Sequence, residues 1–287
     1  SHFDAGTAYA AAERHQLEDY EPHVYRTRDA GKSWQPITQG LPAGVYVQTV
    51  KEDPRRRGLL FCGTERGVFV SFDEGDHWQS LQMNLPPGSM RDLQVKDDDL
   101  IVATHGRGFW ILDDITALRQ IDAAAAGAAA ILFRPAEAVK LPAPDEQGTP
   151  LPKDEPSAEN PPSGAIIDYY LKAASSAPVT LEIVDASGAV VRRYASDDRP
   201  QPRDPNTLAV QLVWAPQAEP LPAAAGMHRW VWDLRGTPPA PAIGRGGGGA
   251  GRVGALAQPG RFSVRLTVDG TTYTQPLVVR QDPRGTF

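Results

Sequence analysis

One feature of this sequence limits the possible folds more than any other: a segment of eleven residues occurs twice. TRDAGKSWQPI (27–37) recurs as SFDEGDHWQSL (71–81), so equivalent positions lie 44 residues apart. An apolar run, a polar turn and a second apolar run come before both copies. A period of about 40 to 45 residues with four short strands is typical of a β-propeller blade. The repeat therefore predicts antiparallel sheets of four strands packed side by side.

A third copy, at 99–111, is degenerate. Asp114 aligns there with Asp73, but neither the Gly nor the Trp of the repeated turn follows it. The first copy starts at Ser1, where its innermost strand should just have ended. Because a closed propeller needs at least about four blades, we predict a partial β-propeller of two to three blades over residues 1–121. We expect the missing N-terminal blades of the same protein or precursor to be its partners.

The repeated turn has the pattern S/T-x-D-x-G-x-x-W, and each of its residue types suits a tight turn. An Asp side chain accepts backbone N–H bonds across the turn, and Gly allows positive φ. The Trp is expected to bury a large surface between neighbouring blades. We therefore interpret the motif residues as structural and not as catalysts: Asp29, Gly31, Trp34, Asp73, Gly75 and Trp78.

This pattern resembles the Asp-box, or BNR repeat, of sialidases, sortilin-type propellers and xyloglucanase-like glycoside hydrolases. The blocks 1–34, 58–78 and 104–121 resemble the last blades of large exported bacterial Asp-box proteins of the glycosyl-hydrolase or sortilin-like type. The resemblance implies the C-terminal part of a protein that is secreted, periplasmic or at the cell surface. It also implies that acidic catalytic residues, where family members have them, lie in upstream blades.

The second half of the sequence is also predicted to be β-structure, which makes the whole chain all-β. Residues 122–163 are Ala-rich and then Pro-rich, which is typical of a linker with an edge strand. Further on, DASG (185–188) and VDGTTY (268–273) favour hairpins. The strand order predicts an immunoglobulin- or fibronectin-like β-sandwich over 164–287, with a Gly-rich loop insertion at 236–260. Its later strands resemble immunoglobulin-like modules at the ends of exported bacterial proteins.

The loops between the second and third strands of each repeat are predicted to lie opposite the repeated turns, because strands alternate in direction. In Asp-box enzymes, that face is similar in position to the usual ligand site. A glycoside hydrolase needs two carboxylates on one face, so the candidate catalytic residues are Glu65, Glu13 and Asp19. Candidate ligand-binding residues on the same loops are His105, Arg107 and Arg66. Solvated loop residues are the alternative interpretation for all six.

The acidic run Asp97, Asp98 and Asp99 is interpreted as a turn between two strands. Calcium binding is its alternative, because acidic turns supply the oxygen ligands that calcium prefers. No spacing of His with His or with carboxylates predicts another metal site, and we expect no cofactor beyond this alternative.

The composition excludes several classes of protein. Lys plus Arg number 29 and Asp plus Glu 35, a net charge of −6, which argues against nucleic acid as a partner. With 27 Gly and 27 Pro, the chain is unsuited to a helical bundle. No apolar stretch reaches 18 residues, so no membrane span is predicted. The single cysteine, Cys62, is predicted to be a buried strand residue.

We predict from these features a non-catalytic C-terminal portion of an exported Asp-box propeller protein that scaffolds or binds carbohydrate or protein ligands. One alternative is a glycoside hydrolase of the sialidase or xyloglucanase type, with its main catalytic residues upstream or on the loop face. A second alternative is a sortilin-like adaptor that binds peptides or proteins. Propellers host all three functions, so the sequence alone leaves open whether the parent protein is an enzyme.

Overall fold

A computed structural model describes residues 1–141, 161–199, 219–238 and 254–284. The chain divides into two compact units, Ser1–Ala126 and Gly127–Phe287, called unit 1 and unit 2 below. The described residues form eighteen strands and three short helical segments, so the predicted all-β class is confirmed.

Unit 1 consists of three antiparallel sheets in which each strand pairs with its neighbours in sequence. The first sheet holds β1 (Ala8–Ala11), β2 (Val24–Thr27) and β3 (Gln35–Pro36). The second holds β4 (Val47–Glu52), β5 (Leu60–Thr64), β6 (Val68–Ser71) and β7 (Gln79–Ser80). The third holds β8 (Met90–Lys96), β9 (Asp99–Thr104) and β10 (Phe109–Leu112). Two 3₁₀ turns, His15–Leu17 and Leu118–Gln120, and the short helix α1 (Ala123–Gly127) complete the described elements of this half.

The two repeated turns, which follow β2 and β6, form the same hydrogen bonds. In the first, the Asp29 carboxylate accepts a bond from the Ser33 backbone N–H at 2.9 Å, and the Thr27 hydroxyl accepts one from Gly31 N–H. In the second, Asp73 accepts the corresponding bond from the His77 N–H, also at 2.9 Å. Gly31 and Gly75 have φ of 85° and 91°, a region that favours glycine. The motif thus closes each turn with bonds that span only a few residues.

The first and second sheets meet around Trp78, which is 5% exposed. Its indole N–H donates to the Ile37 carbonyl at 2.8 Å, and its backbone N–H donates to the Gln39 carbonyl at 2.8 Å. A Cβ at Gly40 would lie 2.2 Å from the Trp78 carbonyl oxygen, so this approach requires glycine. Trp78 belongs to an apolar cluster with residues of both sheets, and we call six of these the Trp78 socket: Val24, Ile37, Leu41, Leu60, Cys62 and Phe69.

Trp34, the counterpart of Trp78 in the first repeat, is 45% exposed. The expectation that both tryptophans are buried between blades is therefore wrong for Trp34. The physical reason is that Trp78 is buried against the preceding sheet, and among the described residues no sheet precedes that of β1 to β3.

The second and third sheets share a larger apolar core. Val68 and Val70 of β6 pack there with Leu93, Leu100 and other buried residues. Charged contacts also join neighbouring repeats. Arg26, which is 3% exposed, donates to the Glu74 carbonyl at 2.9 Å. Repeats are therefore held together by apolar packing and by hydrogen bonds to buried arginine.

Unit 2 has two sheets that share one hydrophobic core. The smaller sheet has the order β11 (Ala130–Leu132), β13 (Ala165–Leu171), β16 (Gly226–Trp232). The larger has the order β12 (Ala138–Lys140), β18 (Thr271–Gln281), β17 (Gly260–Val268), β14 (Thr180–Asp185), β15 (Val190–Ala195). The segment 122–163, predicted to be a linker with an edge strand, supplies β11 and β12 to these sheets.

The hairpins predicted at 185–188 and 268–273 are present as the β14–β15 and β17–β18 turns. Trp230 and Trp232 both pack with the core of unit 2, and Trp232 is fully buried. Most of the Pro-rich stretch and of the Gly-rich insertion, including the four glycines at 246–249, lies outside the described residues.

Replacing Trp78 with Ala should destabilise unit 1 by about 3–5 kcal/mol, because the substitution leaves a cavity in a buried contact. Trp34→Ala should cost less than about 1 kcal/mol, as is usual for exposed side chains. Native-state hydrogen exchange of the β5 amides in the full chain measures both effects. Equal losses of unfolding free energy in the Trp78→Ala and Trp34→Ala variants would contradict the described packing.

The Asp29 carboxylate should make unit 1 sensitive to acid. Bonds from the Ser33 hydroxyl and N–H and from Thr27 lower the pKa of Asp29 from 3.8 to about 2. Because the folded-state pKa is lowered, the stabilisation is present above pH 4 and is lost as the pH falls towards 2. We expect Asp29→Asn to lose less stability than the native chain over this interval, and a carboxyl NMR titration should place the pKa of Asp29 well below 3.8. A titration of Asp29 near pH 4 would refute this account.

Candidate functional site

The loops on the predicted ligand face are joined by a continuous series of contacts around Tyr46. This buried side chain comes just before β4. The His15 ring, from the β1–β2 loop, stacks on the Tyr46 ring with centroids 4.8 Å apart. Glu65, in the β5–β6 loop, donates its backbone N–H to the Tyr46 carbonyl at 3.1 Å. His105, in the β9–β10 loop, donates its N–H to the carbonyl of Ser89 at 2.8 Å. The three sheets thus bring one loop each to this face, which we call the loop face.

Glu65 has the most developed polar surroundings of the candidate carboxylates. Partial burial acts to raise the pKa of Glu65, but the neighbouring hydroxyl groups of Tyr46 and Ser89 and the positive charge of Arg91 outweigh it. The pKa of Glu65 therefore lies below its ordinary value, and the side chain is a carboxylate at neutral pH. An ionised carboxylate here can accept hydrogen bonds from hydroxyl or ammonium groups.

Three buried polar atoms around Glu65 make no hydrogen bond of ordinary length and angle among the described residues, although Ser89 and Gln48 lie near enough to the Glu65 carboxylate to lower its pKa. They are Gln48 Nε2, Glu65 Oε2 and Ser89 Oγ. The Ser89 residue itself is only 6% exposed. Buried polar groups in folded proteins nearly always find a partner, from the protein, from water or from a ligand. These atoms are buried next to one another, so they form a polar cluster beneath the loop face that holds the Glu65 carboxylate in place.

The aromatic side of the loop face is accessible to solvent. The Tyr20 ring lies 6.2 Å from the Tyr46 ring and is 50% exposed. Leu17, on the same loop, is also exposed. An exposed aromatic ring on the same face as a carboxylate is suited to sugars, whose rings have an apolar face and polar edges.

The other two candidate carboxylates occupy different surroundings. Glu13 lies against the Nδ1 atom of His15, and its charge also acts on Tyr46. Asp19 accepts a hydrogen bond from His23 Nε2 at 2.9 Å and forms an ion pair with Arg14 at 3.1 Å. The structure therefore places Glu13 and Glu65 around the same tyrosine, whereas Asp19 is engaged with His23 and Arg14.

The three candidate ligand-binding side chains, Arg66, His105 and Arg107, are exposed. Arg107 contributes its carbonyl, which accepts a bond from the Trp110 indole N–H at 3.0 Å. The loop that carries His105 and Arg107 turns at Gly106 and Gly108, with φ of 77° and 71°. These side chains lie at the edge of the loop face, where a charged ligand can reach them.

The alternative interpretation of Asp97, Asp98 and Asp99 as a calcium site is wrong for the described residues, among which no group of three potential ligand side chains could hold a metal ion. The reason is that basic and backbone groups engage these carboxylates. Asp97 pairs with Lys96 at 2.7 Å, and Asp98 pairs with both Arg55 and Arg119. Asp99 accepts a bond from the Asp114 N–H at 3.0 Å. Asp97 and Asp98 form the turn between β8 and β9, as the first interpretation predicted, and Asp99 begins β9.

Tyr46 and Ser89 are the site residues that the sequence did not indicate. Both come just before the first strand of a sheet, Tyr46 before β4 of the second sheet and Ser89 before β8 of the third. Their shared position, one residue before Val47 and before Met90, is the signal that could have identified them.

No family model and no curated protein matches this chain. Among solved structures, an ancestral GH74 enzyme is 22% identical over 36% of this chain and 12% of its own, with a TM-score of 0.28. The extracellular domain of a hybrid two-component system from B. thetaiotaomicron is 11% identical over 91% of this chain and 28% of its own, with a TM-score of 0.26. The chain thus spans about an eighth and about a quarter of these structures, and at such TM-scores neither supports an argument about its function. None of the described helices has the length and apolar character needed to span a bilayer.

Removing the Glu65 charge should lower the pKa of Tyr46. Burial, and after it Glu65 and then Glu13, raises the pKa of Tyr46 to about 12. We expect Glu65→Gln to shift it towards 10 by more than Glu13→Gln does, because Glu65 has the larger effect. Ring-carbon NMR titration of labelled tyrosine, assigned with Tyr46→Phe, measures the shift. An unchanged Tyr46 titration in Glu65→Gln would contradict the described geometry.

Proposed function

We propose that this chain is a non-catalytic, ligand-binding and scaffolding portion of an exported Asp-box β-propeller protein. Unit 1 supplies consecutive blades, and unit 2 is an immunoglobulin-like module. The identical hydrogen bonding of the two repeated turns and the burial of Trp78 against the preceding sheet support the assignment of blades. The exposed Trp34 supports a further blade as the neighbour of the first sheet.

The observation that carries the binding function is the ionised, partly exposed Glu65 carboxylate on the loop face. A hydroxyl-rich ligand can donate hydrogen bonds to this carboxylate. The exposed Tyr20 ring, which contacts Tyr46, adds a surface for an apolar sugar face. A carbohydrate ligand is therefore the first choice, and a protein ligand is the second.

The glycoside-hydrolase alternative has one observation in its favour, the presence of Glu13 and Glu65 around Tyr46. Such an enzyme needs one carboxyl group that stays protonated as the general acid, with a raised pKa. The pKa of Glu65 is shifted in the opposite direction. Glu65 is thus suited to binding hydroxyl groups and unsuited to donating a proton at neutral pH.

Glycan-array binding and hydrolysis assays with the purified chain test this proposal. We expect binding of one glycan class, a loss of about 10- to 100-fold in affinity for Glu65→Gln, and no turnover by either protein. The loss corresponds to one hydrogen bond to a charged group. Glu21→Gln, an exposed change on the β1–β2 loop, is the matched control and should bind like the native chain.

Two results would overturn the proposal in different directions. Turnover of a glycan that Glu65→Gln abolishes would establish the glycoside-hydrolase alternative. Binding to a peptide array with no binding to glycans would favour the sortilin-like adaptor instead.

A further inference from the structure

A partly open apolar cavity lies between the second and third sheets of unit 1. Its water-accessible volume is about 50 Å³, enough for a few water molecules. Its wall has nine apolar residues, Val68, Leu81, Met83, Leu85, Leu100, Val102, Trp110, Ile111 and Leu112. We call it the third-repeat cavity.

The wall of this cavity repeats the Trp78 socket. Val68, Leu81 and Leu85 follow the socket residues Val24, Ile37 and Leu41 by 44 positions each. Strand register gives the other equivalences, because Val102 pairs with Trp110 as Cys62 pairs with Phe69. In the same way, Leu100 of β9 takes the place of Leu60 of β5. All six residues of the Trp78 socket thus have a counterpart in the third-repeat cavity.

The side chain that fills the first socket has no counterpart in the third repeat. Asp114 is followed by Ile115 and Thr116, without the Gly and Trp of the repeated turn. Ile115 turns back into the core, and its N–H donates to the Asp98 carbonyl at 2.7 Å. The third sheet therefore has the socket but not the indole.

Among the strands that the structure describes, the third sheet also has no counterpart of β7. In the second sheet, β7 pairs with β6 through Phe69 with Ser80 and Val70 with Gln79. In the part of the chain that the structure describes, β10 pairs only with β9, so the edge next to the cavity is unpaired. An unpaired strand edge is a template for the addition of another strand.

We propose that the third-repeat cavity and the free edge of β10 bind an extended polypeptide strand from a partner, which inserts a tryptophan into the cavity. The strand pairs with Trp110 and Ile111 as β7 pairs with Phe69 and Val70. The indole N–H donates to the Leu81 carbonyl, the counterpart of Ile37. Because about 50 Å³ holds only a few water molecules, the cavity has to open further to take an indole. A Trp buried in an apolar pocket is a common anchor of protein interfaces. The site is separate from the loop-face ligand site and does not depend on the proposed function.

The two sockets differ at the residue that faces the backbone of the inserted Trp, and this difference limits how closely a partner backbone can approach. Gly40, with φ of 96°, lets the Trp78 carbonyl come very close. Asn84 holds the equivalent position, and its Cβ keeps a partner carbonyl farther away. The exposed Met83, with φ of 43°, lies at the rim. Side-chain insertion and pairing with β10 therefore carry the binding.

The chain's own sequence provides the probe. A fluorescein-labelled peptide with the sequence of residues 76–82, DHWQSLQ, should bind the full chain in an anisotropy titration. The same peptide with Trp78→Ala should bind at least tenfold more weakly, because the indole supplies most of the buried area. This comparison changes only the ligand, so protein folding does not affect it. Hydrogen exchange of the β10 amides should slow when the Trp peptide binds.

Variants of the protein locate the site. Leu85→Glu, which places a charge in the cavity wall, should abolish binding. Phe109→Ser changes a side chain that is 79% exposed and does not line the cavity. This variant should bind like the native chain, as should Trp34→Ala and Glu65→Gln. Equal binding of the Trp and Ala peptides, or no slowing of β10 exchange at saturation, would overturn the proposal. The Glu65→Gln result distinguishes this proposal from the loop-face function. Ligand binding at the loop face can fail while the third-repeat cavity still binds the peptide.

Discussion

The burial of one indole between two sheets is the contact on which unit 1 depends. Trp78 satisfies its indole N–H and its backbone N–H on the preceding sheet and fills an apolar socket there. Its position is set by the turn before it, because the bonds of Asp73 and the positive φ of Gly75 fix the backbone from which the indole projects. A local turn thus directs a contact between residues about 40 positions apart. The residues of the repeated turn therefore both close the turn within one repeat and position the Trp that contacts the preceding repeat.

The three repeats differ in how this contact is completed. The second has both the indole and its socket, the first presents Trp34 to solvent, and the third has a socket without an indole. Three socket residues recur 44 positions later and three have counterparts by strand register, so the third-repeat cavity belongs to the repeat architecture of this chain. The ends of unit 1 therefore offer two chemically distinct surfaces, one with a projecting ring and one with a recess.

Features that depend on neighbours in sequence could be predicted well. The period of 44 residues indicated the antiparallel sheets, and the DASG and VDGTTY segments indicated hairpins that are present. Features that depend on neighbouring sheets could not. Trp34 and Trp78 have the same local sequence, yet only one has a sheet to pack against. Likewise, Tyr46 and Ser89 look like strand residues until the loops of three sheets meet around them. For Asp97 to Asp99, the run of carboxylates was visible, but their arginine and lysine partners come partly from distant positions.

The position of Cys62 in the wall of the Trp78 socket has a practical consequence. It is the only thiol of the chain, it is fully buried, and burial strongly raises its pKa, so a thiol reagent cannot modify it while the two sheets are in contact. Modification of the Cys62 thiol requires a local opening in which the Trp78 indole leaves the socket. When reclosing is faster than labelling, the labelling rate reports the equilibrium between closed and open forms. The chain thus contains its own reporter for the separation of two neighbouring repeats.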